Sequence, residues 1–159
     1  MTKRAAAMWT VLFLTVITAR AWAQADACTV VSTDEIKTAL GRQDIGPAKR
    51  GRASGSTSEC TFPGLGAGDV RIVLNAPSND AAADFDLKEQ ILKEEQKPFE
   101  KLPGIGDGAY YYDDRLEFRI GTRLGAVWVN RTARTETAAT VKAALITLAR
   151  RMATSLRAR

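Results

Sequence analysis

Between Asp107 and Trp128 the chain gathers the side chains best equipped for chemistry. They are the carboxylates Asp107, Asp113, Asp114 and Glu117, the run Tyr110-Tyr111-Tyr112, and Trp128 itself. Paired carboxylates work as acid and base in hydrolysis when two of them face each other across a substrate. The chain has no histidine, so the usual general base, the Ser-His-Asp and Cys-His nucleophiles and most metal triads cannot be assembled. A carboxylate-based hydrolase stays open, because spacing along the chain does not say which acids face one another. Asp107-Gly108 and Asp113-Asp114 lack the alternating oxygen donors of a calcium loop. Asp107 is instead expected to accept backbone hydrogen bonds within its own turn.

The aromatic residues carry the stronger signal. On a strand, Tyr110 and Tyr112 share one face and Tyr111 takes the other. One face must be core, so at least one tyrosine is expected at an exposed position or a cleft rim. Trp128, out of phase with Val127 and Val129, is expected on the same surface. Tyrosine and tryptophan are enriched in binding patches. Tyr110, Tyr111, Tyr112, Trp128 and Asp107 are therefore the candidate residues for binding a ligand or protein partner. Arg115 and Arg119 share a strand face, but Glu117 between them interrupts the coherent basic surface that nucleic acid requires. No cofactor or metal is implied.

Compartment follows from the first residues. Lys3 and Arg4 precede an apolar stretch, Ala5 to Ala19, and Ala21-Trp22-Ala23 has the small-x-small form of a signal-peptidase site. Cleavage after Ala23, or after Ala25 on the shifted Ala23-Gln24-Ala25 match, is expected to release a periplasmic or secreted protein. The apolar stretch is shorter than the roughly 20 residues that span a bilayer. Membrane association beyond this segment is not expected. Residues 1–25 are thus read as a cleaved signal peptide and 26–159 as one domain. The whole chain has formal charge +5, and losing Lys3, Arg4 and Arg20 leaves +2, which gives no reason to invoke nucleic acid. Cys28 and Cys60 are the only cysteines. In an exported chain an even pair is most simply a disulfide, and two thiols without histidine are too few for zinc. Lipidation at Cys28 fits badly, since charged Asp26 lies in the tripeptide before it.

The elements that must position these residues can be read in order. Ser32 and Glu35 form a capping box for a two-turn helix that Gly41 ends in the left-handed region. Its stripe is short, so the neighbouring disulfide is expected to dock it. Gly46 to Ser58, with Lys49, Arg50 and Arg52, reads as a solvated loop. Strands follow at Ser58–Phe62 and Val70–Asn75, joined through Gly64, Gly66 and Gly68. A half-buried helix runs from about Ser78 to Glu95 with Ala81, Phe85, Lys88 and Leu92 on one side. After a short strand near Phe99–Leu102, the loop to Gly108 feeds an antiparallel meander. Its strands are Ala109–Asp113, Leu116–Ile120 and Ala126–Arg131, with turns at Asp113-Asp114 and Gly121–Gly125. The last helix, about Glu136 to Leu156, repeats Val141, Leu145, Leu148, Met152 and Leu156 on one face. The fold class is α+β: a two-layer sandwich, mainly antiparallel sheet covered by helices, with one disulfide.

Cys28, Ser32-Thr33-Asp34-Glu35-Ile36 with Leu40-Gly41, Cys60 before Phe62, and Gly104-Ile105-Gly106-Asp107-Gly108-Ala109-Tyr110-Tyr111 together resemble a known group. It is the DUF3558-like group of small bacterial envelope domains, which is distantly similar to extracellular sensor domains of bacterial serine/threonine kinases. The resemblance spans nearly all of 26–159. It implies an exported α/β domain whose sheet is covered by helices, with a disulfide, and it carries over no catalytic residues. The segment before Cys28 departs from the lipoprotein members, which favours a free periplasmic or secreted form. The leading expectation is a non-enzymatic envelope domain binding a ligand or protein partner. A carboxylate hydrolase and a structural component without a ligand site are the alternatives.

Overall fold

The computed structural model describes residues 25–51, 55–65, 68–130 and 137–158. The expected signal segment up to Gln24 lies outside the described residues. So do Arg52, Gly66, Arg131 and Glu136, to which the sequence assigns a loop, a turn, a strand end and a helix start. A 3-10 turn, Ala27–Thr29, leads into α1 (Thr33–Leu40), β1 (Lys49–Arg50), β2 (Thr57–Phe62) and β3 (Asp69–Asn75). Then come α2 (Ala81–Glu94), β4 (Glu100–Lys101), β5 (Gly108–Tyr112), β6 (Arg115–Ile120), β7 (Arg123–Asn130) and α3 (Ala138–Arg157). The strands form one seven-stranded sheet in the order β1-β2-β3-β7-β6-β5-β4, antiparallel at every junction. The α+β class, the antiparallel sheet and the Cys28–Cys60 disulfide are as the sequence predicts.

Local chemistry explains the element ends. The Ser32 hydroxyl accepts the Glu35 amide, the Glu35 carboxylate accepts the Ser32 amide at 2.8 Å, and Gly41 closes α1 at φ +67°. Asp113 and Asp114 both take positive φ, the form a two-residue hairpin turn requires between Tyr112 and Arg115. Three expectations need correcting. Ile36 and Leu40 are buried and α1 packs along α3, so the helix is held by its own apolar stripe as well as by the neighbouring disulfide. Lys49 and Arg50, expected in a loop, pair as an edge strand with Thr61 and Cys60; main-chain pairing needs no apolar pattern. The turn after β6 is only Gly121-Thr122, because Arg123 already pairs with Ile120.

Register sorts the side chains into two faces. One row on the first face runs Tyr111, Leu116, Val127, Ile72, Cys60 across β5, β6, β7, β3 and β2. This face, together with α1, α3 and the 3-10 turn, makes the main core. Val141, Leu145, Leu148, Met152 and Leu156 of α3 are all buried in it, each worth roughly 1.5–3 kcal/mol relative to exposure. On the second face the adjacent row runs Tyr112, Arg115, Trp128, Arg71, Thr61. Here α2 covers only one side, where Phe85 and Leu92 pack on Tyr110 and Tyr112 with Phe99 and Leu124 against them.

Candidate functional site

The candidate residues separate into three places. Asp107 and Tyr110 come together in a cleft of about 390 Å³ between α2 and the loop before β5, which Phe85, Glu89, Lys101 and Arg119 also line. The loop is held there by its backbone. The Asp107 amide donates to the Arg119 carbonyl at 2.8 Å and Leu102 donates to Ala109 at 2.9 Å. Phe85 and Tyr110 stack with centroids 4.7 Å apart and form the apolar side of the cleft. Charged pairs surround it. Glu89 accepts Lys93 at 2.7 Å and Lys101 at 2.9 Å. These hydrogen bonds, Lys93 first, hold its carboxyl below the usual glutamate range against the opposing effect of burial. The Asp107 carboxylate takes the Gly121 amide at 2.6 Å, with Arg157 at 3.5 Å and Arg119 at 3.7 Å. Its side-chain acceptor role is thus toward the neighbouring hairpin turn, not its own.

Tyr112 and Trp128 lie in the second place, on the face of the sheet beside α2. Glu117 is the hub. Its Oε2 accepts the Tyr110 hydroxyl at 2.9 Å, and its Oε1 accepts the Tyr112 hydroxyl and Arg115 Nε, both at 2.6 Å. The Arg115 guanidinium in turn sits 4.5 Å from the Trp128 ring centroid. Tyr110 and Tyr112 are buried. Burial and the Glu117 carboxylate both push their phenols well above the ordinary tyrosine value. Neither is exposed, although Tyr110 lines the cleft beside α2. Tyr111 stands alone in the third place, on the first face. It is partly buried, with its hydroxyl on Asp114 at 2.9 Å and Lys142 Nζ 5.6 Å from its ring.

The acids close in sequence are not close in space. Asp107 precedes β5 and Asp113-Asp114 follow it, so the strand holds them roughly 20 Å apart at about 3.4 Å per residue. Asp113 and Asp114 do not line the cleft. Among the described residues no group of three or more acidic or cysteine side chains is placed to hold a metal ion. Comparison with protein-family profiles, with curated proteins and with solved structures finds no match to this chain. A larger groove of about 580 Å³ runs between α1 and α3. Its central charges are spent on each other, with Arg151 Nε on Glu35 Oε1 at 2.7 Å and Glu35 Oε2 on Ser32.

Sequence reasoning missed Phe85, Glu89, Lys101 and Arg119 as cleft residues, because they come from three elements and only the fold converges them. The Glu117 hub had a signal. A two-residue turn at Asp113-Asp114 pairs Tyr112 with Arg115 and therefore Tyr110 with Glu117, which puts the phenols and the carboxylate on one face.

Proposed function

We propose that this chain is an exported, non-enzymatic envelope domain, periplasmic or secreted, that binds a small ligand in the cleft between α2 and β5. The observation that carries the reading is the convergence there of Asp107 and Tyr110 with Phe85, Lys101 and Arg119 around about 390 Å³. An apolar, aromatic wall with a few charged groups at the rim is the usual make-up of a small-molecule site. Binding is favoured over hydrolysis because the cleft acid with a shifted carboxyl, Glu89, is shifted downward. A general acid at neutral pH needs the opposite direction.

The test begins with protein recovered from the periplasm of expressing cells, with its N-terminus at Gln24 or Asp26 by mass spectrometry. It is then titrated with the small-molecule fraction of an envelope extract and followed by amide NMR. Saturable shifts at residues 107 to 110 are expected. They should vanish in Asp86→Trp, which places an indole at the cleft mouth from an exposed position on α2. A precursor retained in the cytoplasm, or shifts that survive Asp86→Trp, would overturn the reading.

A further inference from the structure

Of the two bonds at which the expected leader could be cut, after Ala23 or after Ala25, the second lies within the described fold. Ala25 is 8% exposed and belongs to the main core, together with Ala27 and Val30. The chain is fastened immediately beyond it. The Ala27 amide donates to Ser58 Oγ of β2 at 3.0 Å. Asp26 Oδ1 accepts the Cys28 amide at 3.0 Å, and its Oδ2 accepts Arg50 of β1. The Asp26 carbonyl accepts both the Thr29 amide and Thr29 Oγ1 at 2.9 Å. The Ala25–Asp26 peptide bond therefore joins a core residue to an anchored turn.

We propose, resting on the export reading, that the leader is cut after Ala23, so that the mature chain begins at Gln24 and keeps Ala25. Both bonds follow small-x-small triplets, Ala21-Trp22-Ala23 and Ala23-Gln24-Ala25, so recognition by a signal peptidase does not choose between them. The fold does. A cut after Ala25 removes a residue that the core has already closed over. It also turns an uncharged peptide nitrogen beside the core into an ammonium, which is costlier to shield from water. That ammonium would compete with Arg50 for the Asp26 carboxylate. A cut after Ala23 does none of this. The step is a hydrolysis: water adds at the Ala23 carbonyl carbon, the bond to Gln24 nitrogen breaks, and that nitrogen leaves with a proton as the new α-amine.

The intact mass of protein recovered from the periplasm of expressing cells reads the bond directly. A single product beginning at Gln24 is expected, with or without the loss of ammonia by which a terminal glutamine cyclises. Ala21→Arg, which spoils the first triplet and leaves the second, should abolish that product; an unchanged mass would overturn the proposal. A product beginning at Asp26 from the unaltered chain would overturn it alone, whereas uncut precursor would overturn it together with the export reading. Deleting Gln24 and Ala25 keeps Ala21-Trp22-Ala23 and puts Asp26 directly after the cut. That form should retain the disulfide, yet its unfolding constant in urea should be about fourfold larger, the effect of losing one buried methyl group. Equal stability of the two mature forms would show that the core does not use Ala25, and the choice of bond would fall with it.

Discussion

Asp107 and the glycine before it show how tightly the central loop is specified at single residues. Gly106 has φ +58°, and a Cβ added there would lie 2.2 Å from the Arg119 carbonyl oxygen. That carbonyl is the acceptor of the Asp107 amide, so the clash falls on the bond that anchors the loop to β6. The positive φ alone costs a residue with a side chain about 1–3 kcal/mol, and displacing the carbonyl adds to it. Gly106→Ala should therefore lower stability by roughly 2–4 kcal/mol, measured as the urea midpoint at constant m. Gly104, also at positive φ but with no atom within 4 Å of an added Cβ, separates the two causes. Gly104→Ala should cost only about 1 kcal/mol, the backbone part. Equal costs at the two positions would mean that the Arg119 contact contributes nothing.

At the scale of elements, the disulfide joins the 3-10 turn to the centre of β2, and Cys60 is fully buried while α1 follows a few residues on. A link between residues 32 positions apart constrains the unfolded chain by roughly 3–4 kcal/mol in the chain-entropy account. Replacing both cysteines by alanine should cost about that much by chemical denaturation. Because α1 also buries Ile36 and Leu40 against α3, it should keep its helical amide pattern in the variant; loss of α1 alone would show that the bond, not the stripe, holds it. The same elements show what a sequence reveals. The strands β3, β5 and β6 and all three helices were legible because each alternates or repeats its apolar residues with the period of its own structure. Lys49-Arg50 was not, since an edge strand of two exposed residues is made by main-chain pairing that leaves no pattern. The candidate site was legible in its aromatic and acidic members but not in its grouping. Face alternation put Trp128 beside a tyrosine expected to be exposed; it shares its face with Tyr110 and Tyr112, which are buried, and nothing local says that α2 covers those two, or that β5 separates Asp107 from Asp113.

For the whole molecule, the ionisable groups define a pH window of stability with two different edges. On the acid side, Glu35 is held below its ordinary value of 4.5 chiefly by the Ser32 amide, Asp44 below 3.8 by Arg42, and Glu89 below 4.5 by Lys93 and Lys101. The unfolded chain takes up these protons first, so this stability is complete above the ordinary values and is lost as pH falls through the depressed ones. On the alkaline side, Tyr110 and Tyr112 are raised above 10.0 by burial and by Glu117. Their contribution is complete below that value and is lost as pH rises beyond it, because the unfolded chain ionises where the folded one does not. Denaturation midpoints should therefore be flat between about pH 5 and 10 and fall on either side. The alkaline edge can be read residue by residue in Tyr111→Phe, in which Tyr110 and Tyr112 are the only tyrosines. Their tyrosinate absorbance should appear in step with loss of the circular dichroism signal, since both hydroxyls are committed to one carboxylate beneath α2. Phenolate appearing while the dichroism stays native would mean that α2 opens without global unfolding, and that this side of the sheet is accessible in the folded protein.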